Sequence, residues 1–136
     1  MSLDVSAARS EVQTAVYAVL TGDAGHAAKA ATYDQPPQGA AFPYETIGEM
    51  QEATDDTFDA GFADIQFTIH TWSRYKGTKE VLDIQADQIR LLHRTQLSLA
   101  TLQCVAVWKD YADVIQDPDG ITRHGVIRFR VLVQSA

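Results

Sequence analysis

Residues 65–70 read IQFTIH, and residues 127–133 read IRFRVLV. Apolar side chains alternate with polar ones in both segments, and Arg128 and Arg130 stand on the polar side of the second. Because successive side chains of a β-strand point to opposite faces, each segment predicts a strand with one buried and one solvated face. Together they predict an antiparallel sheet that is covered on one face.

A long hairpin is predicted near the C-terminus. Residues 103–116 and 121–134 are β-rich, and DPDG at 117–120 has the residue types of a tight turn. Two undistorted strands of this length would run about 46 Å, whereas a compact chain of this size is roughly 37 Å across. The hairpin must therefore bend, fray or project, and a projecting element predicts contact with a neighbouring subunit.

Apolar residues at helical spacing predict a first helix over residues 5–20 that docks on the core. Ser2 is its predicted N-cap, and Gly22 is its predicted stop. Asp23 then has the side chain to cap a short alanine-rich helix that follows.

Residues 78–94 predict a second amphipathic helix, with Thr78 as its N-cap and Glu80 suited to its first turn. The predicted core-facing stripe of this helix is apolar. It comprises Leu82, Ala86, Ile89 and Leu92, with Val81 and Ile84 beside them.

The chain between these helices predicts a connector, a strand and a loop. QPPQGAAFP at 35–43 predicts an extended connector anchored by Phe42, because proline and glycine oppose helix and sheet hydrogen bonding. Residues 44–53 predict a strand of uncertain register, and residues 54–61 predict an acidic loop.

The order of these elements is helix, strand, strand, helix, strand, strand. This order predicts one α+β domain over residues 1–136, with a mainly antiparallel sheet and helices packed on one of its faces. A chain of 136 residues buries roughly two thirds of its unfolded surface, which is enough for a core without disulfides or metal clips.

Composition narrows the class of partner. The net charge is −7, and no block of lysine or arginine provides the basic footprint of a nucleic-acid binder. We expect neither a membrane span nor a secretory signal, because the apolar runs are short and the N-terminus lacks a basic region before an apolar stretch. A protein is therefore the expected partner.

Residues with catalytic or ligating potential do not form a recognised motif. None of the four histidines, His26, His70, His93 and His124, has the spacing of a helical metal-ligand pair. The acids Asp55, Asp56, Asp59 and Asp64 do not match the spacing of a calcium loop, and Cys104 lies in an apolar strand as a small buried hydrophobe. We expect no catalytic residue, no cofactor and no metal.

An interaction surface is the alternative use of the polar and aromatic residues outside the core. Trp72, Arg74 and Tyr75 combine side-chain types that are enriched at binding hot spots, and Arg123 and His124 follow the hairpin turn. An equally supported interpretation assigns these residues no interface role. In it, Trp72 covers the edge of the sheet and Arg74 is a solvated charge in a loop. The candidate interface residues are Trp72, Arg74, Tyr75, Asp55, Asp56, Asp59, Arg123 and His124.

A family resemblance rests on three segments that follow one another along the chain. They are QPPQG leading to FPY and IGE (35–49), WSR with Gly77 opening a helix (72–77), and DPDGITRHG (117–125). The chain resembles the tail completion, or tail terminator, family of long-tailed bacteriophages and gene transfer agents. The match runs from the first helix to the last strand.

That resemblance implies a structural role without catalytic residues. Members form a ring, usually hexameric, on the head-proximal end of the tail tube. The implied partners are further copies of the chain, the tail tube protein and the head connector or stopper protein, and DNA passes through the lumen without specific binding. The implied location is the head–tail junction of a particle assembled in the bacterial cytoplasm. A dimeric adaptor and a small ligand-binding domain remain alternatives on the residues alone.

Overall fold

The sheet has five strands in the order β1-β2-β3-β5-β4. The computed structural model describes residues 4–136. Its strands are β1 (Ala31–Tyr33), β2 (Tyr44–Thr54), β3 (Phe62–Ser73), β4 (Gln103–Gln116) and β5 (Arg123–Gln134), and its helices are α1 (Ala8–Gly22), α2 (Ala24–Lys29) and α3 (Lys79–Leu92). Only the β1–β2 pair is parallel. The predicted α+β class with a mainly antiparallel sheet is therefore confirmed.

The central strands β3 and β5 supply most of the core. Their inward side chains are those that the alternating pattern predicted, and the rings of Phe67 and Phe129 stack with centroids 5.4 Å apart. These inward residues are fully buried: Ile65, Phe67, Ile69, Ile127, Phe129, Val131 and Val133. Their outward neighbours Arg128 and Arg130 face the side of the sheet opposite α1 and α3.

Helix α1 packs on the covered face as its spacing predicted. Its buried residues are Ala8, Val12, Ala15, Val16 and Leu20. It ends at Gly22, and the Asp23 carboxylate accepts a hydrogen bond from the backbone N–H of His26 at 3.0 Å, which confirms Asp23 as the cap of α2. The structure starts this helix at Ala8, and the predicted cap Ser2 lies outside the described residues.

Helix α3 differs from its prediction in two respects. Thr78 occupies the N-cap position as predicted, but its side chain makes no capping hydrogen bond. Val81, Ile84 and Leu92 of the predicted stripe are buried and Ile89 is partly buried. Leu82 is 49% exposed and Ala86 is exposed, whereas three polar side chains turn inward, so the buried face is rotated in part. The buried residues of this helix are Val81, Ile84, Gln85, Asp87, Gln88 and Leu92. Polar partners beneath the helix, described below, make this rotation favourable.

A β-bulge in β2 settles the register that the sequence left open. Pairing with β3 shifts between Gly48 and Gln51, and Glu49 takes a positive φ of 46° there. Ile47 is buried, and Met50, within the shifted segment, packs against the same core. The bulge therefore lets both apolar residues reach one side, which a two-residue period does not allow.

The hairpin β4–β5 follows the prediction closely. Gly120 takes a φ of 72° in the turn, and its N–H donates to the Asp117 carbonyl at 3.0 Å. Strand β4 is bulged near Cys104 and near Lys109, and the side chains from Lys109 onward are largely exposed. The hairpin thus both bends and extends its outer strand away from the core.

Helix α3 packs closely on β5 at Gly125. A Cβ added there would lie 2.6 Å from Val81 Cγ1 and 2.7 Å from Gln85 Nε2. We predict that Gly125→Ala lowers the free energy of unfolding by about 1–3 kcal/mol, because the Val81 and Gln85 side chains must shift to admit the methyl group. Urea denaturation measures this. Gly22→Ala is the matched control, because no atom lies within 4 Å of its new Cβ, and equal stability of the two variants would contradict the prediction.

Candidate interaction surfaces

The structure brings Trp72, Arg74, Arg123 and His124 together at one end of the sheet. Trp72 is paired with His124 in register, and their rings stack with centroids 3.8 Å apart. The Arg74 guanidinium lies 4.3 Å from the centroid of the Phe42 ring, and its Nε donates to Thr122 Oγ1 at 3.4 Å. We call this region, residues 72–76 and 121–124 with Phe42, the aromatic-basic end.

This end of the molecule is held in place by contacts within the chain. Asp119, in the hairpin turn, accepts hydrogen bonds from the Thr122 hydroxyl and from the backbone N–H groups of Thr122 and Ile121, which lower its pKa to about 2. Arg74 is exposed, but its guanidinium contacts the Phe42 ring and its Nε donates to Thr122 Oγ1. Ile121 and Tyr75 remain 59% and 58% exposed beside it. Ile121 and Tyr75 are therefore exposed on segments that contacts within the chain hold in place.

The acidic loop lies at the opposite end of the same strand. Strand β3 separates residues 54–61 from Trp72 by about 36 Å at 3.3 Å per residue. The loop is a built turn: Asp56 accepts a bond from the N–H of Phe62 at 2.9 Å, and the N–H of Thr57 donates to the Ala60 carbonyl at 2.9 Å. Asp55, Asp56 and Asp59 therefore form a second surface, separate from the aromatic-basic end.

The structure places Phe58 and Asp64 where the sequence analysis did not predict them. Phe58, at the tip of the acidic loop, is fully exposed. A phenylalanine among aspartates in a predicted loop was a usable signal, because such a loop has no core of its own to bury the ring. Asp64 does not join the other acids, since it forms an ion pair with Arg130 on the open face of the sheet.

Two histidines meet on the open face of the sheet. His70 Nδ1 lies 2.7 Å from His124 Nε2, and His70 Nε2 lies 2.9 Å from Glu49 Oε1. Burial lowers the pKa of His124, and repulsion from His70 lowers it further. Among residues 4–136 there is no group of three or more histidine, cysteine or acidic side chains placed to hold a metal ion.

A buried polar network was not predicted from the sequence. His26 Nε2 donates to the Glu45 carboxylate at 2.8 Å, and His26 Nδ1 lies 3.2 Å from Asp87 Oδ2. Thr32 Oγ1 and Gln88 Nε2 also donate to Glu45, each at 2.8 Å. His26 and Glu45 are completely buried. A carboxylate at each ring nitrogen favours the charged imidazolium form of the histidine.

The pKa values agree with that charge state. Burial by itself lowers the pKa of His26, but the bonds and charges of Glu45 and then Asp87 outweigh burial and leave this pKa raised. Burial acts to raise the pKa of Asp87, but the bonds from Lys29 and His26 outweigh it, so this pKa is lowered. The network therefore belongs to the support of the fold, at the end of β3 that carries Trp72, because Glu45 pairs with Thr71.

The remaining reactive groups and the sheet edge are also engaged. Cys104 is buried, and burial raises the pKa of its thiol. On the outer edge of β4, the N–H of Lys109 donates to His93 Nδ1, and the carbonyls of Val107 and Asp113 accept bonds from Arg94 and Gln85. These bonds occupy much of the edge that would otherwise pair with another strand. Within residues 4–136, no helix is long and apolar enough to cross a membrane.

Comparison with known proteins gives the family. The profile of the family described as "Tail completion protein gp17" matches residues 14–134, which is most of the chain. The chain belongs to the tail completion protein family. A curated member, the tail completion protein gp17 of Bacillus phage SPP1, is 28% identical over 104 residues and covers 75% of each chain. The resemblance inferred from the three sequence segments is thus confirmed.

Solved structures show the same fold as this tail completion protein. A chain from the virion of a native gene transfer agent particle superposes with a TM-score of 0.87 at 24% identity, covering 97% of this chain and 100% of that one. The bacteriophage SPP1 gp17 protein superposes with a TM-score of 0.65 at 23% identity, covering 96% and 94%. The fold therefore extends along nearly the whole length of both.

The charged His26 generates a prediction on stability and pH. Because its pKa is raised in the folded protein, it adds stability below about pH 6.5 that is lost as pH rises through the folded pKa. We predict that in His26→Gln the free energy of unfolding no longer falls as the pH rises above about 6.5. At neutral pH this variant should be about 3–5 kcal/mol less stable than the wild type, because Glu45 and Asp87 lose their shared partner. Urea denaturation from pH 6 to 9 measures both effects.

His124→Gln is the matched control for this series. The pKa of His124 is lowered in the folded protein, so its titration affects stability only below about pH 6.5. This variant should therefore keep the alkaline loss of the wild type. A wild-type free energy of unfolding that stays constant above pH 6.5 would show that His26 is not charged.

Proposed function

We propose that this tail completion protein forms a ring, hexameric as in the family it resembles, on the head-proximal end of a tail tube. Family membership over residues 14–134 carries the proposal. The match of the whole chain to a chain of a gene transfer agent virion supports it, because that protein is part of an assembled particle. The partners are then further copies of the chain, the tail tube protein and the head connector or stopper protein.

In this proposal the ring stops tube polymerisation and presents the surface that joins tail to head at the head–tail junction, in a particle assembled in the bacterial cytoplasm. DNA passes through the lumen without being bound. The net charge of −7 favours such passage, because an acidic ring repels the phosphate backbone and releases no counterions on contact.

The two ends of the sheet supply the contacts of a closing ring. A ring needs a heterologous interface, in which one patch of a subunit meets a different patch of the next. The aromatic-basic end carries Trp72, Arg74, Tyr75, Arg123 and His124, and the opposite loop carries only acidic charges. Patches of opposite charge at opposite ends suit repeated head-to-tail contact and steer the subunits into one orientation.

The work proposed for this protein is binding, not catalysis. Two of the most reactive side-chain types are buried within the fold. His26 lies in the buried network, and Cys104 is buried with a raised thiol pKa. Surface shape and charge are what remain available to partners.

The role at the junction is tested by deleting the gene and examining the particles by negative-stain electron microscopy. We expect overlong tails and tails without heads, because nothing would stop the tube or join it to the connector. Complementation with the wild-type gene should restore tail length and head attachment. Particles of normal length with attached heads in the deletion strain would refute the proposal.

The aromatic-basic end is tested by the double variant Trp72→Ala with Arg74→Ala. We predict that incorporation into particles falls at least roughly tenfold, because hot-spot residues of these types carry most of an interface's energy. Western blotting of purified particles measures incorporation. Tyr17→Ala on α1, where Tyr17 is 46% exposed, is the control. Unchanged incorporation of the double variant would remove this end from the interface.

A further inference from the structure

Phe58 is the most exposed large apolar side chain of the described residues. It stands on a turn that is closed by the Thr57 to Ala60 backbone bond and by the hydrogen bond from Thr57 Oγ1 to Asp59. A folded protein gains nothing by presenting a whole aromatic ring to water, whereas a partner that buries the ring removes a large apolar surface from solvent. The turn therefore has the form of an anchor for another molecule.

The surroundings of Phe58 define what that molecule must offer. Residues 54–61 contain Asp55, Asp56 and Asp59 and no basic residue. A receiving site therefore needs an apolar floor for the ring and ammonium or guanidinium groups on its rim.

Such a site exists at the other end of this same chain. A groove of about 460 Å³ between α2 and α3 is lined by Ala28, Ile84 and the ring of Tyr75, with Lys29 and Lys79 on its rim. Tyr75 is 58% exposed, so the wall of the groove is open to a partner. We name it the α2–α3 groove.

The acidic residues of the groove do not prevent entry of an acidic turn. Glu80 accepts a hydrogen bond from Ser73 Oγ at 2.6 Å, and Asp83 is paired with Lys79 at 3.1 Å. The side chains of that pair are 79% and 49% exposed, and such exposed ion pairs contribute little. A lysine ammonium has three donors, so Lys29 and Lys79 can each contact an incoming aspartate as well as their present partner.

We propose that Phe58 of one subunit docks in the α2–α3 groove of a second copy of this chain, with Asp55, Asp56 and Asp59 facing Lys29 and Lys79 on the rim. The two sites lie at opposite ends of β3 and cannot meet within one molecule. Between copies they form the heterologous contact that a ring requires. The inference rests on the proposed ring and names the anchor of its subunit interface.

Disulfide cross-linking within particles tests the contact directly. In a Cys104→Ala background, Phe58→Cys is combined with Ala28→Cys, and the particles are oxidised and run on a non-reducing gel. We expect a ladder of covalent oligomers up to the closed ring. The matched control combines Phe58→Cys with Ala18→Cys, an exposed alanine on α1, and should give no ladder. Incorporated double-cysteine protein without a ladder overturns the inference.

A second variant covers the case in which the cysteine protein fails to enter particles. Phe58→Ala should leave the urea midpoint of the purified protein unchanged, because the ring contacts no core, while incorporation falls at least roughly tenfold. Phe58→Leu should restore much of it. Normal incorporation of Phe58→Ala also overturns the inference. The cross-linking result and the Phe58 variants do not alter the phenotype of the gene deletion. The proposed role at the junction and the proposed Phe58 anchor are therefore tested separately.

Discussion

The buried salt bridge between His26 and Glu45 is the interaction on which the rest of the structure depends. Glu45 is a fully buried carboxylate, and a lone charge there would cost several kcal/mol. It is tolerated only because His26 from α2, Thr32 from β1 and Gln88 from α3 all reach it at hydrogen-bonding distance. Helices α2 and α3 and the β1–β2 edge of the sheet must therefore be in place together, which sets the orientation of α3 and the position of the groove beside it.

The core above this network follows from simpler rules. Alternating side chains in β3 and β5 bury one face of the sheet, and the apolar stripe of α1 covers it. Where α3 meets the same sheet, packing is so close that Gly125 leaves no room for a methyl group. A rigid sheet with both ends presented in fixed orientation is a suitable frame for repeated contact between subunits, because little ordering entropy is lost on assembly.

The candidate interaction surfaces differ in whether neighbouring residues in the sequence are enough to identify them. Residue type and position beside a strand end or a turn point to Trp72, Arg74, Arg123 and His124, and the antiparallel pairing of β3 with β5 places Trp72 beside His124. Phe58 also has a local signal, because its neighbours in the loop are acidic. The α2–α3 groove could not have been predicted, because its lining comes from residues far apart in the chain, such as Ala28, Tyr75 and Ile84, which only the packing of α2 and α3 brings together.

The sequence by itself determined the α+β class, the buried face of each central strand, the hairpin and its turn, and the family. These depend on periods of two or 3.6 residues and on local turn chemistry, which are properties of neighbouring residues. Only the tertiary structure decided that the buried face of α3 is partly polar. Its spacing favoured Leu82 and Ala86, but Gln85, Asp87 and Gln88 point inward because their partners, Asp113, His26 and Glu45, come from other elements. A polar side chain is placed by the partner that satisfies it, and that partner is known only once the chain has folded.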